Sequence, residues 1–400
     1  MKTKTQAYTA IKDRKPVLDA LRNLKMARSV HAYVRGSTAR FYDWLGGHDG
    51  LVLPEGPPVW ICGDCHVGNL GPLASAKGRI DVQIRDLDQT VIGNPAHDLI
   101  RMGLSLASAS RGSDLPGVIT AKMIEQMVVG YEQAFAPDDD VAITEPQSVE
   151  RAMEAAMQRK WKDLANERIG DVSPAIPLGR HYWPVSKTED EALRRLFDDE
   201  KMRRMVTSLR SRDDDAAIEV LDAAYWVKGC SSLGNLRYAV LVGIGKGKDR
   251  ELCLMDVKEA VKAIAPRVPG TDMPKDNAER VVEGAWHVSP ALGGRILAGR
   301  VLDHSVFVRE LLPQDIKFDI DHLTQAEATR VARFLALIVG KAHARQMDEA
   351  TRKAWQGELS RNRSKTLDAP SWLWSSVVKL VESHEGGYLE HCRKYAMNIG

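Results

Sequence analysis

Alternation of apolar and polar residues over 80–88 predicts a strand whose one face carries Val82, Ile84, Asp86 and Asp88. A shorter apolar run at 59–62 predicts another strand, which breaks at Gly63 and delivers Asp64, with Asn69 five residues on. Both strands end in carboxylates, and an acid that continues an apolar face is costly unless paired or bound to a metal. Around them the period lengthens to that of a helix. Leu18, Leu21 and Leu24 predict a helix over 15–26, and Val30, Val34, Phe41 and Leu45 predict a second. Met123, Ile124, Met127, Val128, Tyr131 and Phe135 form one apolar stripe that reads as core, ended by a stop at 137–140. A further helix is expected over 148–167, with Lys and Arg in the half where the helix dipole favours them. Residues 169–184 lack a clear period and read as a packed surface loop, and 198–215 as a solvated helical link with an acidic loop.

From Tyr225 the period shortens again. Strands are expected over 225–227 and 236–242, separated by Gly229-Cys230-Ser231-Ser232-Leu233-Gly234. A small-residue turn of this kind lets backbone N–H groups come close to phosphate oxygens. After a hairpin turn at 243–250, the return strand sets Leu252, Leu254, Asp256 and Lys258 on one face, so the ammonium points where the turn points. The next helix, 277–286, packs through Ala278, Val281, Val282 and Ala285. A strand over 305–308 runs into Arg309-Glu310-Leu311-Leu312-Pro313. The remainder reads as helical, with Val331, Phe334, Leu335 and Ile338 on one face, His343 as a packing residue, and the last helices over 370–397.

A chain of 400 residues buries a large core and suggests more than one lobe. The pattern divides it into a helical lobe at 1–215 that carries Asp64, Asn69, Asp86 and Asp88, a strand-rich lobe at 216–312 that carries Lys258, and helices at 313–400 that complete the first lobe. A net charge of +2 points to neither nucleic acid nor an anionic membrane surface. Five cysteines make no disulfide framework, the first residues lack the apolar core of a signal peptide, and no run approaches membrane-spanning length. A cytoplasmic protein is expected.

The chemistry concentrates at 59–99. A base-like Asp64, an Asn five residues later and acids after the next strand are what metal-assisted phosphoryl transfer requires: one group orients the acceptor and two oxygen ligands hold magnesium. Cys62, Cys65 and His66 also spell C-x-x-C-H, the haem attachment pattern, but no export signal accompanies it and it leaves Asp64, Asn69, Asp86 and Asp88 unexplained. Zinc on the same three residues lacks a partner pair. Cys62 reads as packing and His66 as a brace for the loop. Arg35 reads equally as a solvated or ion-paired helix residue and as a phosphate or substrate contact.

Asp64-x-His66-x-x-Asn69, then Asp86-x-Asp88 and Gly93-Asn94-Pro95-x-x-Asp98-Leu99, resembles the catalytic and metal loops of aminoglycoside phosphotransferases and choline kinases, within the protein-kinase-like fold. The wider run, with Tyr33-Val34-Arg35-Gly36 and the turn at 229–234, resembles the bacterial domain-of-unknown-function family 2252 over most of the chain. The kinase resemblance implies an α+β, two-lobe fold with a large helical lobe and a small antiparallel-sheet nucleotide lobe. It implies ATP and Mg2+ as cofactors. Asp64 then takes the acceptor proton, Asn69 and Asp86 hold the metal with Asp88 as an additional ligand, and Lys258 contacts the α- and β-phosphates. Glu279 or Glu283 would fix Lys258, and Gly229, Ser231, Ser232 and Gly234 would cover the phosphates. Backbone groups of Glu310 and Leu311 would bind adenine, and Asp98 would support the catalytic loop. Ser231 departs from the glycine usual in such a turn, and Asp88 stands where many kinases have glycine. The order is also unusual, because the catalytic block precedes the nucleotide lobe; joining the chain ends would restore it, so a circular permutation is expected. The implied reaction is transfer of the γ-phosphoryl group of ATP to a hydroxyl. Nucleotide binding without turnover and transfer of AMP are the alternatives, and neither the acceptor nor the oligomeric state is legible in the sequence.

Overall fold

The computed structural model describes the chain except for residues 1–9, 48–52, 113–116, 137–144, 171–174, 210, 248–249, 317, 319–322, 362, 364–366 and 396–400. The expected helix stop at 137–140 and the first residues therefore lie outside the described residues. Helix α1 (Ile11–Met26) is followed by α2 (Val30–Gly36) and α3 (Thr38–Gly47). The single helix expected beyond Val30 is thus two, parted at Ser37. The Ser29 hydroxyl caps α2 by accepting from the Ala32 N–H at 3.1 Å.

Four short strands come next: β1 (Val59–Ile61), β2 (Leu70–Ala74), β3 (Ile80–Ile84) and β4 (Val91–Gly93). β1 pairs antiparallel with β4, and β2 with β3, so the segment between Asp64 and Asp88 is a hairpin held at the base by a second pair of strands. Then α4 (Pro95–Gly112) and α5 (Gly117–Gln133) lead to α6 (Gln147–Gln158) and α7 (Trp161–Arg168). The helix expected over 148–167 is interrupted at Arg159, because the Asp163 carboxylate accepts from the Lys160 N–H at 2.8 Å and starts a new helix there.

β5 (Tyr182–Pro184), α8 (Lys187–Asp198) and α9 (Glu200–Thr207) precede β6 (Ile218–Trp226), β7 (Arg237–Ile244) and β8 (Glu251–Glu259). After α10 (Asn277–Val288) and the short α11 (Pro290–Gly293) come β9 (Ile296–Val301) and β10 (His304–Leu311). Strands β5 to β10 form one antiparallel six-stranded sheet in the order β5-β6-β7-β8-β10-β9. α12 (Gln325–Ala344), α13 (Glu349–Ser360) and α14 (Ser371–Tyr395) complete the chain. The fold is mixed α+β with antiparallel sheets. No helix among the described residues is long and apolar enough to cross a membrane.

The largest core joins β1–β4 to α4, α5, α10 and α12, through residues such as Ile61, Ile84, Leu99, Ile124 and Leu335. A second core lies on one face of the six-stranded sheet, where Val240, Met255 and Val306 meet Leu193, Phe197, Met202 and Val206. The boundary expected at 215 therefore falls too late. β5 is a strand of the sheet, and α8 and α9 hide an apolar stripe among their charges that packs on it. α1 also reaches the sheet: Leu18 enters that second core, and buried Arg14 pairs with buried Glu189 of α8 at 2.5 Å. Its other end reaches the turn at 229–234, where Lys25 donates to the Gly229 carbonyl.

Candidate functional site

Just beyond β1, Gly63 adopts φ +73°, and a Cβ there would collide with the Gln89 carbonyl. Only glycine fits this turn, and the turn presents Asp64. Its shape is held from behind by Asp98 in the first turn of α4. That carboxylate has no solvent exposure and accepts from the N–H groups of Cys62 (2.7 Å) and Gly63 (2.9 Å). His343 of α12 lies 3.2 Å from the same carboxylate and 2.9 Å from the Tyr131 hydroxyl, so it is a satisfied core residue.

Asp64 is itself held at both oxygens, by Arg101 Nε at 2.8 Å and the Thr38 hydroxyl at 3.0 Å. Burial pushes its carboxyl up in spite of Arg101 and Thr38. The side chain keeps 12 % exposure, so one edge remains reachable. The Asn69 amide donates to the main-chain carbonyl of Asp64 at 2.9 Å, and the Arg85 N–H donates to the carbonyl of Asn69 at 2.7 Å. Those two bonds lock Asn69 between Asp64 and the end of β3.

Lys258, on β8, meets the acids that follow β3. Its ammonium lies 3.3 Å from Asp86 Oδ1 and also pairs with Asp88, across some 170 residues of chain. Partial desolvation in the cleft would raise the Asp86 carboxyl, but the Lys258 ammonium, with Arg309 and Arg237 behind it, holds it well below the usual carboxylate range. Desolvation and the adjacent Asp86 charge raise Asp88. Asp86 is nearly half exposed, whereas one oxygen of Asp88 is buried with no hydrogen-bond partner.

The turn at 229–234 folds onto the helical side. Gly229 and Gly234 adopt φ +105° and +108°, conformations that favour glycine. Lys25 donates to the Gly229 carbonyl at 2.6 Å, and the Cys230 thiol lies against the Ala32 carbonyl. Beneath the turn is a cavity of about 350 Å³, lined by Asn69, Asp86, Gly229, Leu311 and Leu312, with Leu164 of α7. Basic side chains dominate the remaining wall: Lys25, Arg35, Arg85 and Lys228, then Arg168, Arg237 and Arg309. Beyond the turn a second cavity, of about 390 Å³, takes in Ser231, Ser232, Asp88 and Thr38.

The structure thus brings Asn69, Asp86, Gly229 and Leu311 to one cavity, with Lys258 against Asp86. Other expectations need correction. Ser231 and Ser232 line the neighbouring cavity, and Gly234 lies by Asp19 of α1. Glu279 and Glu283 are exposed and do not meet Lys258. α10 turns Arg280 inward instead, to the carbonyls of Thr90, Asp88 (3.0 Å) and Val261 (3.0 Å). The Glu310 carbonyl is taken by Arg295 at 2.9 Å and its side chain by Arg212 at 2.6 Å, so it does not offer that carbonyl to a ligand. His66 is buried but its Nδ1 has no partner, so it does not brace the loop through that atom, and burial lowers its pKa well below the ordinary value.

Sequence reasoning missed Arg101, Thr38 and Arg280. Arg101 follows Asp98 by three residues, which puts the two on one side of α4, and that spacing was the available signal. Among the described residues no group of three or more His, Cys, Asp or Glu is arranged to hold a metal ion. The donor set on offer is instead two carboxylates and an amide, Asp86, Asp88 and Asn69. Such hard oxygen donors, few in number, suit Mg2+, which keeps further positions for water and substrate phosphates. The unpartnered oxygen of Asp88 fits that use.

A family model described as an uncharacterised protein conserved in bacteria, DUF2252, matches residues 14–394. No curated protein and no solved structure matches the chain.

Proposed function

We propose that this chain, which belongs to the DUF2252 family of bacterial proteins, is an ATP-dependent phosphotransferase built on a circularly permuted, kinase-like pair of lobes. The observation that carries the reading is the meeting of Lys258 with Asp86 and Asp88 at the edge of a cavity that also holds Asn69 and Gly229. A strand lysine, a glycine-bearing turn and an acid–amide pair on one cavity are the parts phosphoryl transfer uses. The order of strands in the sheet and the hairpin between Asn69 and Asp86 support the fold half of the proposal.

Asn69, Asp86 and Asp88 would hold Mg2+, whose charge neutralises that of the transferring phosphoryl group. Lys258 leaves its carboxylate partners for the α- and β-phosphates when the nucleotide arrives. Backbone N–H groups of the turn at 229–234 cover those phosphates. Asp64, lifted by burial toward higher proton affinity, orients the acceptor hydroxyl and takes its proton. Asp98 and Gly63 keep that carboxylate at a fixed place, which matters because positioning supplies most of the rate in such transfers.

One observation favours a second reading, nucleotide binding without turnover: Arg101 and Thr38 already occupy both oxygens of Asp64. ATP labelled at the γ- or α-phosphate separates these cases. Turnover of the γ-label, reduced by at least about a hundredfold in Asp64→Ala and in Asp86→Ala, is expected. Near-normal turnover in Asp86→Ala removes the metal assignment. Tight ATP binding with no turnover favours the second reading, and transfer of the α-label favours AMP transfer.

A further inference from the structure

We infer that the acceptor is itself an anion, a hydroxyl compound already bearing a phosphate group, which the helical side of the cavity receives on Arg35 and Lys25. The inference rests on the phosphotransferase reading and deepens it.

Seven cationic side chains line the cavity against two acids, Asp86 and Asp315. Three of the seven are compensated. Arg168 pairs with Glu167 at 3.0 Å, and Arg237 and Arg309 share buried Asp256. The Asp315 carboxylate is held by Arg295 at 3.0 Å on both oxygens, and Arg85 reaches Asp315 only at its main-chain carbonyl, at 2.9 Å. Lys25, Arg35, Arg85 and Lys228 make no ion pair with any carboxylate among the described residues. Four basic side chains without a carboxylate partner in one cavity, three of them resting only on a carbonyl or on the Trp226 ring, favour an anion there.

Placement says which anion they meet. Lys258 and the glycine-bearing turn already face the nucleotide phosphates in the proposed mechanism. Arg35 stands beside Gly68 of the loop that carries Asn69, on a helix that the turn also touches through Cys230. It lies on α2, whose Val34 carbonyl accepts from the same Arg101 that holds Asp64, at 2.6 Å. Its Nε is buried without a hydrogen-bond partner, and a Cβ on Gly68 would sit 3.4 Å from that atom, one residue before Asn69. A planar guanidinium beside the catalytic loop suits two phosphate oxygens at once. Lys25 comes in from α1, donates to the Gly229 carbonyl and adds a point charge to the same cavity. Burial lowers the proton affinity of both Lys25 and Lys228, a penalty that a bound dianion would reverse. Cationic acceptors, such as an aminoglycoside or choline, meet repulsion in this cavity.

Calorimetric titration of orthophosphate into the full chain tests this, first alone and then with Mg2+ and AMP-PNP at saturation. Phosphate is expected to bind in both conditions and acetate more weakly. Arg35→Gln should weaken phosphate by about tenfold or more while AMP-PNP affinity changes by less than about twofold; Lys25→Gln should weaken phosphate as well, and because Lys25 also holds the Gly229 carbonyl its AMP-PNP affinity is not the control. Should Arg35→Gln fail to fold, Arg35→Lys keeps the charge, loses the fork and is expected to weaken phosphate by a smaller factor. Three results overturn the inference: exclusion of phosphate by AMP-PNP, unchanged phosphate affinity in the variants, or acetate bound as tightly as phosphate. Arg35-dependent phosphate binding in a protein that takes up no AMP-PNP strikes the phosphotransferase reading and leaves the anion subsite standing.

Discussion

Asp98 is fully buried, and the N–H groups of Cys62 and Gly63 are what its carboxyl group is there for. Replacing it by alanine leaves two buried donors unsatisfied and opens a void beside His343. Asp98→Ala should therefore lose about 3–5 kcal/mol of stability in urea unfolding, with activity falling too because Asp64 is no longer fixed. A loss under about 1 kcal/mol would mean that the loop holds its shape without the carboxylate. At this scale much of the site was legible. Asp64, Asn69, Asp86, Asp88, Asp98 and Lys258 stand out because acids and a lysine at strand ends or on an otherwise apolar face need a reason. Arg101 and Arg280 did not, since arginines on helices usually read as solvated. Glu279 and Glu283 were singled out on the expectation of an ion pair with Lys258, and Arg280 between them was not weighed. The decisive fact is Gly284, where a Cβ would strike Thr90, so that this side of α10 packs on the segment after Asp88 and takes Arg280 with it.

Among the elements, those with one strong period were read correctly and those with a mixed or edge position were not. α5 and α12 bury long apolar stripes and were plain. β9 was missed because it is an edge strand, its residues part exposed and including Gly299 and Arg300, so alternation is absent. α9 was read as a solvated link because charges outnumber its apolar residues, although Met202 and Val206 are buried on the sheet. α14 gives a test of how an element docks. It lies against α2 and α4, and His384 on it is buried with its ring near Tyr33 and its Nδ1 3.0 Å from the Leu380 carbonyl. Burial, with the Arg101 charge second, drives this imidazole down to about 3. A depressed folded pKa contributes stability that is fully present above the unfolded value, near 6.5, and is lost as pH falls toward 3. Between pH 7 and 3.5 the unfolding free energy of the wild type should fall by about 3–4 kcal/mol more than that of His384→Leu. Parallel profiles would mean that acid opens this contact at no cost.

For the whole molecule, what matters is that no contiguous half of the chain encloses the cavity. Its walls come from α1 and α2, from the segment after β1, from the turn at 229–234 and from the end of β10. α1 belongs to both sides, bound to the sheet by Arg14 and to the turn by Lys25. α14 runs back beside α1, where Tyr388 donates to the Ala27 carbonyl at 3.2 Å and His391 lies 2.8 Å from the Asn23 carbonyl. These contacts do not depend on which peptide bond of the chain is missing. A variant whose ends are joined by a flexible linker long enough to retrace α1, about 24 Å, and which is opened between Gly170 and Ala175, would restore the usual kinase order. It keeps β5, α8 and α9 with their sheet and leaves the α1–α14 contact in place. If the present order is a permutation, this variant should unfold cooperatively with a midpoint within about 10 °C of the wild type and should bind Mg·AMP-PNP with similar affinity. Calorimetry and nucleotide titration check both. A soluble variant without a cooperative transition would show that the segment from α1 to α7 must precede the six-stranded sheet for the chain to fold.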